Sequence, residues 1–279
     1  MKHTPTLLDF FPSTLAPDPC AAPWVQVSWP DNPRVHAVFT SCAGGVSSGA
    51  YTCAQTETGN GMNLGKHVGD VPGAVAQNRQ LLQQALDGAQ PHFLQQVHGV
   101  EVADLDLLEA DQPEPTADAA CTTLRGRVAT VLVADCLPVL FAAPGGKAVA
   151  AAHAGWRGLA GGVLEATLQT VCARAGCPVW EVQAVFGPAI GPQAFEVGEE
   201  VRAAFVTRNP STALAFASGA PGKWWADLWQ LARMRLQSAG MRVELVAGGG
   251  LCTFSNPQRY FSYRRRAVTG RQAGCIWVD

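Results

Sequence analysis

Val128-Ala129-Thr130-Val131-Leu132-Val133-Ala134-Asp135-Cys136-Leu137-Pro138-Val139-Leu140-Phe141 is the stretch on which the fold turns. It reads as one long apolar strand, broken only by Asp135 and Pro138. Proline has no N–H to give to a ladder, so the strand must bulge, end or lie at an edge there. Strand alternation sends Asp135 to the sheet face opposite Cys136 unless Pro138 distorts the run, which makes Asp135 a poor general base. Residues 147–153 form a second apolar strand signal, and Gly145-Gly146 can turn the chain between the two.

Working outward, the pattern alternates between the two periods. Residues 72–86 fit a helix with Pro72 in its first turn. Residues 158–174 fit another, with Val163, Leu164, Thr167, Leu168 and Val171 on one face. Helices are also expected over 198–206 and 224–239. Strands are expected over 24–27, 35–39, 93–97, 182–186, 243–246, 260–263 and 275–278. Residues 41–66 are a long polar loop, and 105–116 an acidic, proline-bearing surface loop. Strand and helix mix without a strict βαβ rhythm and without a repeat, and no linker divides the chain. The expected organisation is a proline-rich lead-in with little regular structure, residues 1–32, and one domain, residues 33–279.

Bulk properties exclude several classes. The 279 residues are 48% hydrophobic, enough for a large core. The formal net charge is -2, and Arg264-Arg265-Arg266 is the only basic cluster, so no nucleic-acid or acidic-membrane surface is expected. The first ten residues lack the apolar stretch and cleavage site of a signal peptide, and no segment has the length of a membrane span. The nine cysteines are scattered, odd in number and without a Cys-x-x-Cys pair. They do not read as a disulfide scaffold, and a reducing cytoplasm is the expected location.

Three short segments carry the chemistry: Gln96-Val97-His98-Gly99, Ala134-Asp135-Cys136-Leu137-Pro138 and His153-Ala154-Gly155-Trp156-Arg157-Gly158. Taken singly, a cysteine in an apolar strand is usually a small buried hydrophobe, and a histidine beside glycine is usually a turn residue. Three such residues at strand ends shift the balance toward a site. His98, Cys136 and His153 are a natural zinc set, with copper the alternative. Zinc with only three protein ligands keeps a fourth position for water or substrate. Gly155 and Gly158 frame Trp156-Arg157 just before a helix, whose free N–H groups attract anions. Arg157 adds a bidentate donor for phosphate or carboxylate.

With these residues in view, the chain resembles the YfiH family, also called the laccase-domain or polyphenol-oxidase family. The resemblance runs through Gly44-Gly45-Val46-Ser47, Asn63-Leu64-Gly65, His67-Val68-Gly69-Asp70, Asn78-Arg79 and the three segments above. It continues through Ala117-Asp118-Ala119, Gly187-Pro188-Ala189-Ile190-Gly191, Asp227-Leu228, Cys252-Thr253, Phe261-Ser262-Tyr263-Arg264-Arg265 and Gly270-Arg271. It implies a single α+β domain of layered mixed β-sheets flanked by helices. It also implies a zinc or copper ion on His98, Cys136 and His153.

Members of the family are described as phosphorolysing adenosine, inosine and methylthioadenosine and deaminating adenosine. Others are described as copper-dependent phenol oxidases, or as hydrolases that remove a wrongly incorporated serine from a peptidoglycan precursor. Where the family has Thr-Thr-Arg, this chain has Thr40-Ser41-Cys42; if that Arg binds substrate or phosphate, another cation must serve here, and Arg157, Arg79 and Arg264 are the substitutes by motif. An insert around residues 50–60 is also longer than usual.

Each chemistry makes its own demand. Multicopper oxidation draws on His-x-His pairs, and none of the six histidines forms one. Deamination would use a water made acidic by the metal, and phosphorolysis would use phosphate at Arg157 and the helix start. His67, Asp118 and Cys252 are the acid/base candidates, against turn or capping roles, and Asn63 is a candidate for orienting substrate. A serine-amide hydrolase would use the same metal and arginine, or Cys136 as a nucleophile with its pKa lowered by His98 or His153. A non-enzymatic metal clamp would close the fourth position, for example with Cys252. A small molecule is the expected partner: a purine nucleoside with phosphate, or a peptidoglycan precursor.

Overall fold

The computed structural model describes residues 3–10, 23–53, 60–109 and 112–279. In it the apolar run 128–141 is two strands that belong to two different sheets. The strands in chain order are β1 (Thr6–Phe10), β2 (Trp24–Ser28), β3 (Val35–Phe39), β4 (Ala43–Ser47), β5 (Gln90–His92), β6 (Val102–Asp104), β7 (Ala119–Thr122) and β8 (Arg127–Val133). They continue as β9 (Leu137–Ala142), β10 (Val149–Ala154), β11 (Gln183–Phe186), β12 (Glu196–Gly198), β13 (Phe216–Ser218), β14 (Lys223–Ala226), β15 (Val246–Gly248) and β16 (Gln272–Val278). The α-helices are α1 (Pro72–Ala85), α2 (Trp156–Gly161), α3 (Val163–Ala175), α4 (Glu199–Val206) and α5 (Leu228–Ser238).

Two six-stranded mixed sheets, ordered β1-β2-β3-β16-β8-β5 and β15-β11-β9-β10-β7-β6, form the body, and β12-β14-β13 make a small third sheet. Alternation explains why β8 and β9 are apolar throughout. Ala129 and Val131 of β8 share one buried cluster with Leu140 and Ala142 of β9, between the sheets. Val128 and Leu132 point the other way, into a cluster with Leu82 of α1. Leu137, Val139 and Phe141 pack with Leu164 and Leu168 of α3 and Leu231 of α5. Each strand is covered on both faces, so no polar alternation survives. The result is a helix–sheet–sheet–helix sandwich, the expected α+β class.

The crossing between sheets is made at Ala134-Asp135-Cys136. Asp135 has φ 94°, and its carboxylate accepts from Thr253 Oγ1 at 2.6 Å and from the Arg264 backbone N–H at 2.6 Å. Both oxygens are spent on holding the turn, so Asp135 is structural. Pro138 sits second in β9, an interior strand rather than an edge. Its carbonyl accepts from Gly187 N–H at 3.0 Å, and the missing N–H falls where the strand begins.

Several expected elements are corrected. The helix over 158–174 is two helices, because Gly162 at φ 108° ends α2 and starts α3. The helix over 224–239 opens with β14, and only after Asp227 caps the Gln230 N–H does α5 begin. The strand over 93–97 lies instead at β5, and Gln95 makes only an isolated bridge to Thr116. Residues 243–245 are a single 3₁₀ turn before β15, and 260–263 form no strand. The lead-in carries two strands, β1 and β2, paired antiparallel with each other, and β2 pairs with β3. Residues 11–22 of the lead-in and 54–59 of the insert lie outside the described residues. Within the polar loop β4 forms, and Cys42 is bonded to Cys53, a disulfide that the scattered cysteines did not indicate.

The acidic loop 105–116 is tied down at its start. Leu105 is fully buried, and Asp106 accepts from Thr122 Oγ1 at 2.6 Å, from Thr123 and from Arg174 of α3. Burial alone would raise the Asp106 carboxyl, but the hydrogen bonds from Thr122, Thr123 and Arg174 outweigh it and hold it below the ordinary range. A depressed folded-state value means stability that is present above the unfolded value and lost as pH falls through the folded one. Asp106→Asn should therefore cost about 2 kcal/mol at neutral pH, the half-exposed Arg174 adding little. Urea titrations of both proteins should show that gap closing as pH drops below about 4; a gap that stays constant with pH would contradict this account.

Candidate metal centre

One buried carboxylate organises the site. Asp118 is fully buried, just before β7, and accepts the backbone N–H groups of Val97 at 3.1 Å, His98 at 2.9 Å and Gly99 at 2.6 Å. These three bonds hold a turn in which His98 has φ 63°, a backbone region that non-glycine residues rarely enter. The same carboxylate lies 2.8 Å from His153 Nδ1, and the Asp118 carbonyl accepts the His153 N–H at 2.7 Å. A carboxylate only accepts, so Nδ1 carries a proton, and a bound ion would take Nε2 in place of the second proton that the raised pKa keeps on the metal-free ring. This is the carboxylate–histidine arrangement that orients metal ligands.

Cys136 leaves the sheet crossing and meets the two histidines. Its Sγ lies 3.7 Å from His98 Nε2, and one ligand atom from each of His98, Cys136 and His153 falls within 4.8 Å of the others. Tetrahedral zinc with nitrogen and sulfur ligands sets such atoms about 3.6 Å apart. The space is kept by Gly155: a Cβ there would stand 2.7 Å from His98 Cδ2 and 2.9 Å from Cys136 Sγ. Burial would raise the Cys136 thiol, but His153 and His98 outweigh it and lower it to about 6. Burial would lower His153, but Cys136 and Asp118 outweigh it and raise it to about 9. The pair favours thiolate, the form that binds metals. The donor set therefore fits zinc, and copper as a second choice.

The three ligands line one end of a cleft of about 430 Å³. His67, Arg157 and Arg264 line it too. Arg157 is exposed, stacks 4.3 Å over Trp156, and makes no hydrogen bond or ion pair with the described residues. Arg264 is tied at the rim, with Nη1 donating to the Glu196 carbonyl at 2.9 Å. Burial first, then Arg271 and Arg79, lower His67, so its ring is neutral near pH 7.

Other candidates stand elsewhere. Asp118 works behind the ligands and does not line the cleft. Asn63 is fully buried, donating to Asp70 at 2.8 Å and accepting from Gly65 and Arg271 N–H groups. Cys252 Sγ accepts from Gly191 N–H at 3.2 Å and is not part of the metal cluster. Arg79 pairs with Glu114 at 2.6 Å and donates to the Leu64 carbonyl. Gly158 packs against Gly99, whose carbonyl a Cβ would meet at 2.9 Å. Cys42 is buried in its disulfide and offers the cleft no polar group.

Gln96, Tyr263 and Arg271 also line the cleft and were not foreseen. All three sit in sequence blocks already quoted, beside residues that drew more attention.

The fold and the site define a class: an α+β sandwich in which a His₂Cys cluster that could hold a metal lines a cleft. The chain belongs to the YfiH, or laccase-domain, family, whose model, described as multi-copper polyphenol oxidoreductase laccase, matches residues 36–279. A Pseudomonas aeruginosa protein named purine nucleoside phosphorylase is 45% identical over 92% of this chain and 98% of its own length. The Escherichia coli purine nucleoside phosphorylase YfiH is 44% identical over 90% of this chain and 96% of its own. Among solved structures, a Neisseria meningitidis protein superposes with a TM-score of 0.82 at 44% identity, covering 92% of this chain and 99% of that one. YlmD from Geobacillus stearothermophilus gives 0.83 at 28% identity, covering 92% and 97%.

Asp118→Asn should weaken zinc binding by about 10- to 100-fold, since the orienting partner of His153 is lost. Gly155→Ala should weaken it at least as much by pushing His98 and Cys136 apart. Competition with a chromophoric chelator measures both, with circular dichroism to confirm folding; a folded Gly155→Ala protein that binds zinc like the parent would refute the packing argument.

Proposed function

We propose that this chain is a metal-dependent purine nucleoside enzyme. It cleaves adenosine, inosine or methylthioadenosine with phosphate and deaminates adenosine in the same cleft. The observation that carries the reading is a cluster of only three donors that opens into a cleft. Cys252, which could have closed the fourth position of a structural clamp, is engaged elsewhere. The names of the Pseudomonas and Escherichia relatives support the substrate class.

Zinc is the favoured ion and copper the alternative; when bound, zinc supplies a Lewis acid next to the substrate. The remaining work falls to side chains. Trp156, Phe195 and Tyr263 give the cleft aromatic and apolar walls suited to a purine, and its volume suits a small molecule. Neutral His67 can take or return a proton at the base. Arg157 offers an uncommitted guanidinium at the mouth to an anionic group. Phenol oxidation by several coppers finds less support, because a single cluster of three or more histidine, cysteine or acidic residues occurs among the described residues. No helix among the described residues is long and apolar enough to cross a membrane.

Metal analysis of protein purified without an affinity tag, followed by assays of adenosine with and without phosphate, tests the reading. Adenine that appears only with phosphate marks phosphorolysis, and inosine marks deamination. Cys136→Ala should lose bound zinc and turnover together, by about a thousandfold or more in rate if the ion carries the chemistry. Full activity in that variant would remove the mechanism, and cleavage of a serine-bearing muramic precursor without nucleoside turnover would transfer the protein to the hydrolase reading.

A further inference from the structure

Arg271 is a half-buried cation of the cleft that no carboxylate claims. It lines the cavity with the metal cluster, and it forms no ion pair with the described residues. A guanidinium keeps its charge under all ordinary conditions, so one held partly out of water calls for a negative partner. Of the groups that bear on it, Tyr263 and Tyr51 are neutral phenols, the Tyr263 ring lying 6.0 Å from the guanidinium, and the two that can be negative, Cys136 and Asp135, are committed, one to the metal cluster and the other to Thr253 and the Arg264 backbone. Burial is the largest influence on Arg271 and lowers it.

Its placement is fixed by the backbone. The Arg271 N–H donates to Asn63 Oδ1 at 2.9 Å, and the Leu64 N–H donates to the Arg271 carbonyl at 3.1 Å. Its stem lies against Gly65, where a Cβ would come within 2.9 Å of Cγ. On the guanidinium, Nη1 donates to the Thr269 and Gly270 carbonyls at 3.1 and 3.0 Å. The other guanidinium nitrogens make no hydrogen bond with described residues and are not sealed from solvent, so they remain open to a ligand in the cleft. The chain runs from Gly65 to His67, whose neutral ring lines the same cavity and can donate a further N–H. Arg157, by contrast, is exposed, where a charge pair is worth less.

We infer that Arg271, with His67 beside it, forms an inner oxyanion subsite that binds the phosphate co-substrate, while Asn63 positions the arginine from behind. That the oxyanion is phosphate rests on the phosphorolytic reading above; that an oxyanion binds there does not. A phosphate held on this fork shares the cavity with His67 and with the metal-cluster residues. Two charge-assisted N–H donors on one oxyanion give orientation as well as affinity. Arg271 is then a specificity-determining residue for the second substrate rather than for the nucleoside.

The zinc-loaded wild-type protein supplies the first test. Arginine modification by a dicarbonyl reagent, mapped by peptide mass, is followed with and without inorganic phosphate. Phosphate should slow labelling of Arg271 severalfold and leave Arg157 unchanged. Protection of Arg157 alone, or of no arginine, would overturn the subsite.

The second test is kinetic. Arg271→Gln should raise the KM for phosphate by about tenfold or more while the nucleoside KM stays within about twofold, and Arg271→Lys should recover part of the loss. Phosphorolysis with an unchanged phosphate KM in Arg271→Gln would sink the subsite and leave the nucleoside reading standing. Protection of Arg271 by phosphate in a protein that cleaves no nucleoside would do the reverse. Should Arg271→Gln fail to fold, the labelling of the wild type still decides.

Discussion

The carboxylate of Asp118 is the constraint from which the rest of the site follows. It has no exposure to water, and four N–H groups converge on it: three from the turn at Val97, His98 and Gly99 and one from the His153 ring. A buried carboxylate with that many donors is held below its ordinary pKa, burial alone acting in the opposite direction. Its charge in turn fixes a left-handed backbone at His98 and turns the His153 ring so that Nδ1–H faces it. Two ligands from distant parts of the chain are thereby aimed by one residue that never touches the metal position. The third, Cys136, is aimed by a different device, the left-handed turn at Asp135 that carries the chain from one sheet to the other.

These two devices explain what could be read from the sequence and what could not. His98, Cys136 and His153 were legible because each sits beside glycine or at the end of an apolar run, and residue type alone named the chemistry. Asp118 was visible as a polar residue in a quoted block, but only the three-dimensional path shows its carboxylate spent on the 97–99 turn and on the His153 ring. Asn63 misled for the same reason: its side chain is spent on Gly65, Asp70 and Arg271. Arg271 went unnoticed because its importance lies in the lack of a carboxylate near it, which no linear pattern displays. Arg79, which a motif suggested for anion binding, has such a partner in Glu114.

The fold shows a similar division. The α1 helix and the strands β3, β11 and β16 follow the patterns of their residues closely, because each buries a well-defined face. The errors cluster where backbone conformation overrides hydrophobic period. Gly162 divides a helix whose apolar stripe is continuous, and Asp135 divides a strand whose apolar run is nearly so. Periodicity reports which faces are buried, and it says little about whether the chain keeps its direction while burying them. The Cys42–Cys53 bond was equally hidden, since its partners carry no spacing signature.

The sheet crossing at Cys136 has one more consequence. Cys136 leaves a strand of the first sheet as it enters the second, His98 lies on the path from β5 to β6 and so also between the sheets, and His153 belongs to the second sheet. An ion gripped by all three would rivet the seam of the sandwich as well as sit at the head of a cleft. Occupancy and folding would then be two readings of one equilibrium: heat resistance would climb with free zinc by mass action, and a strong chelator would soften both halves of the molecule together.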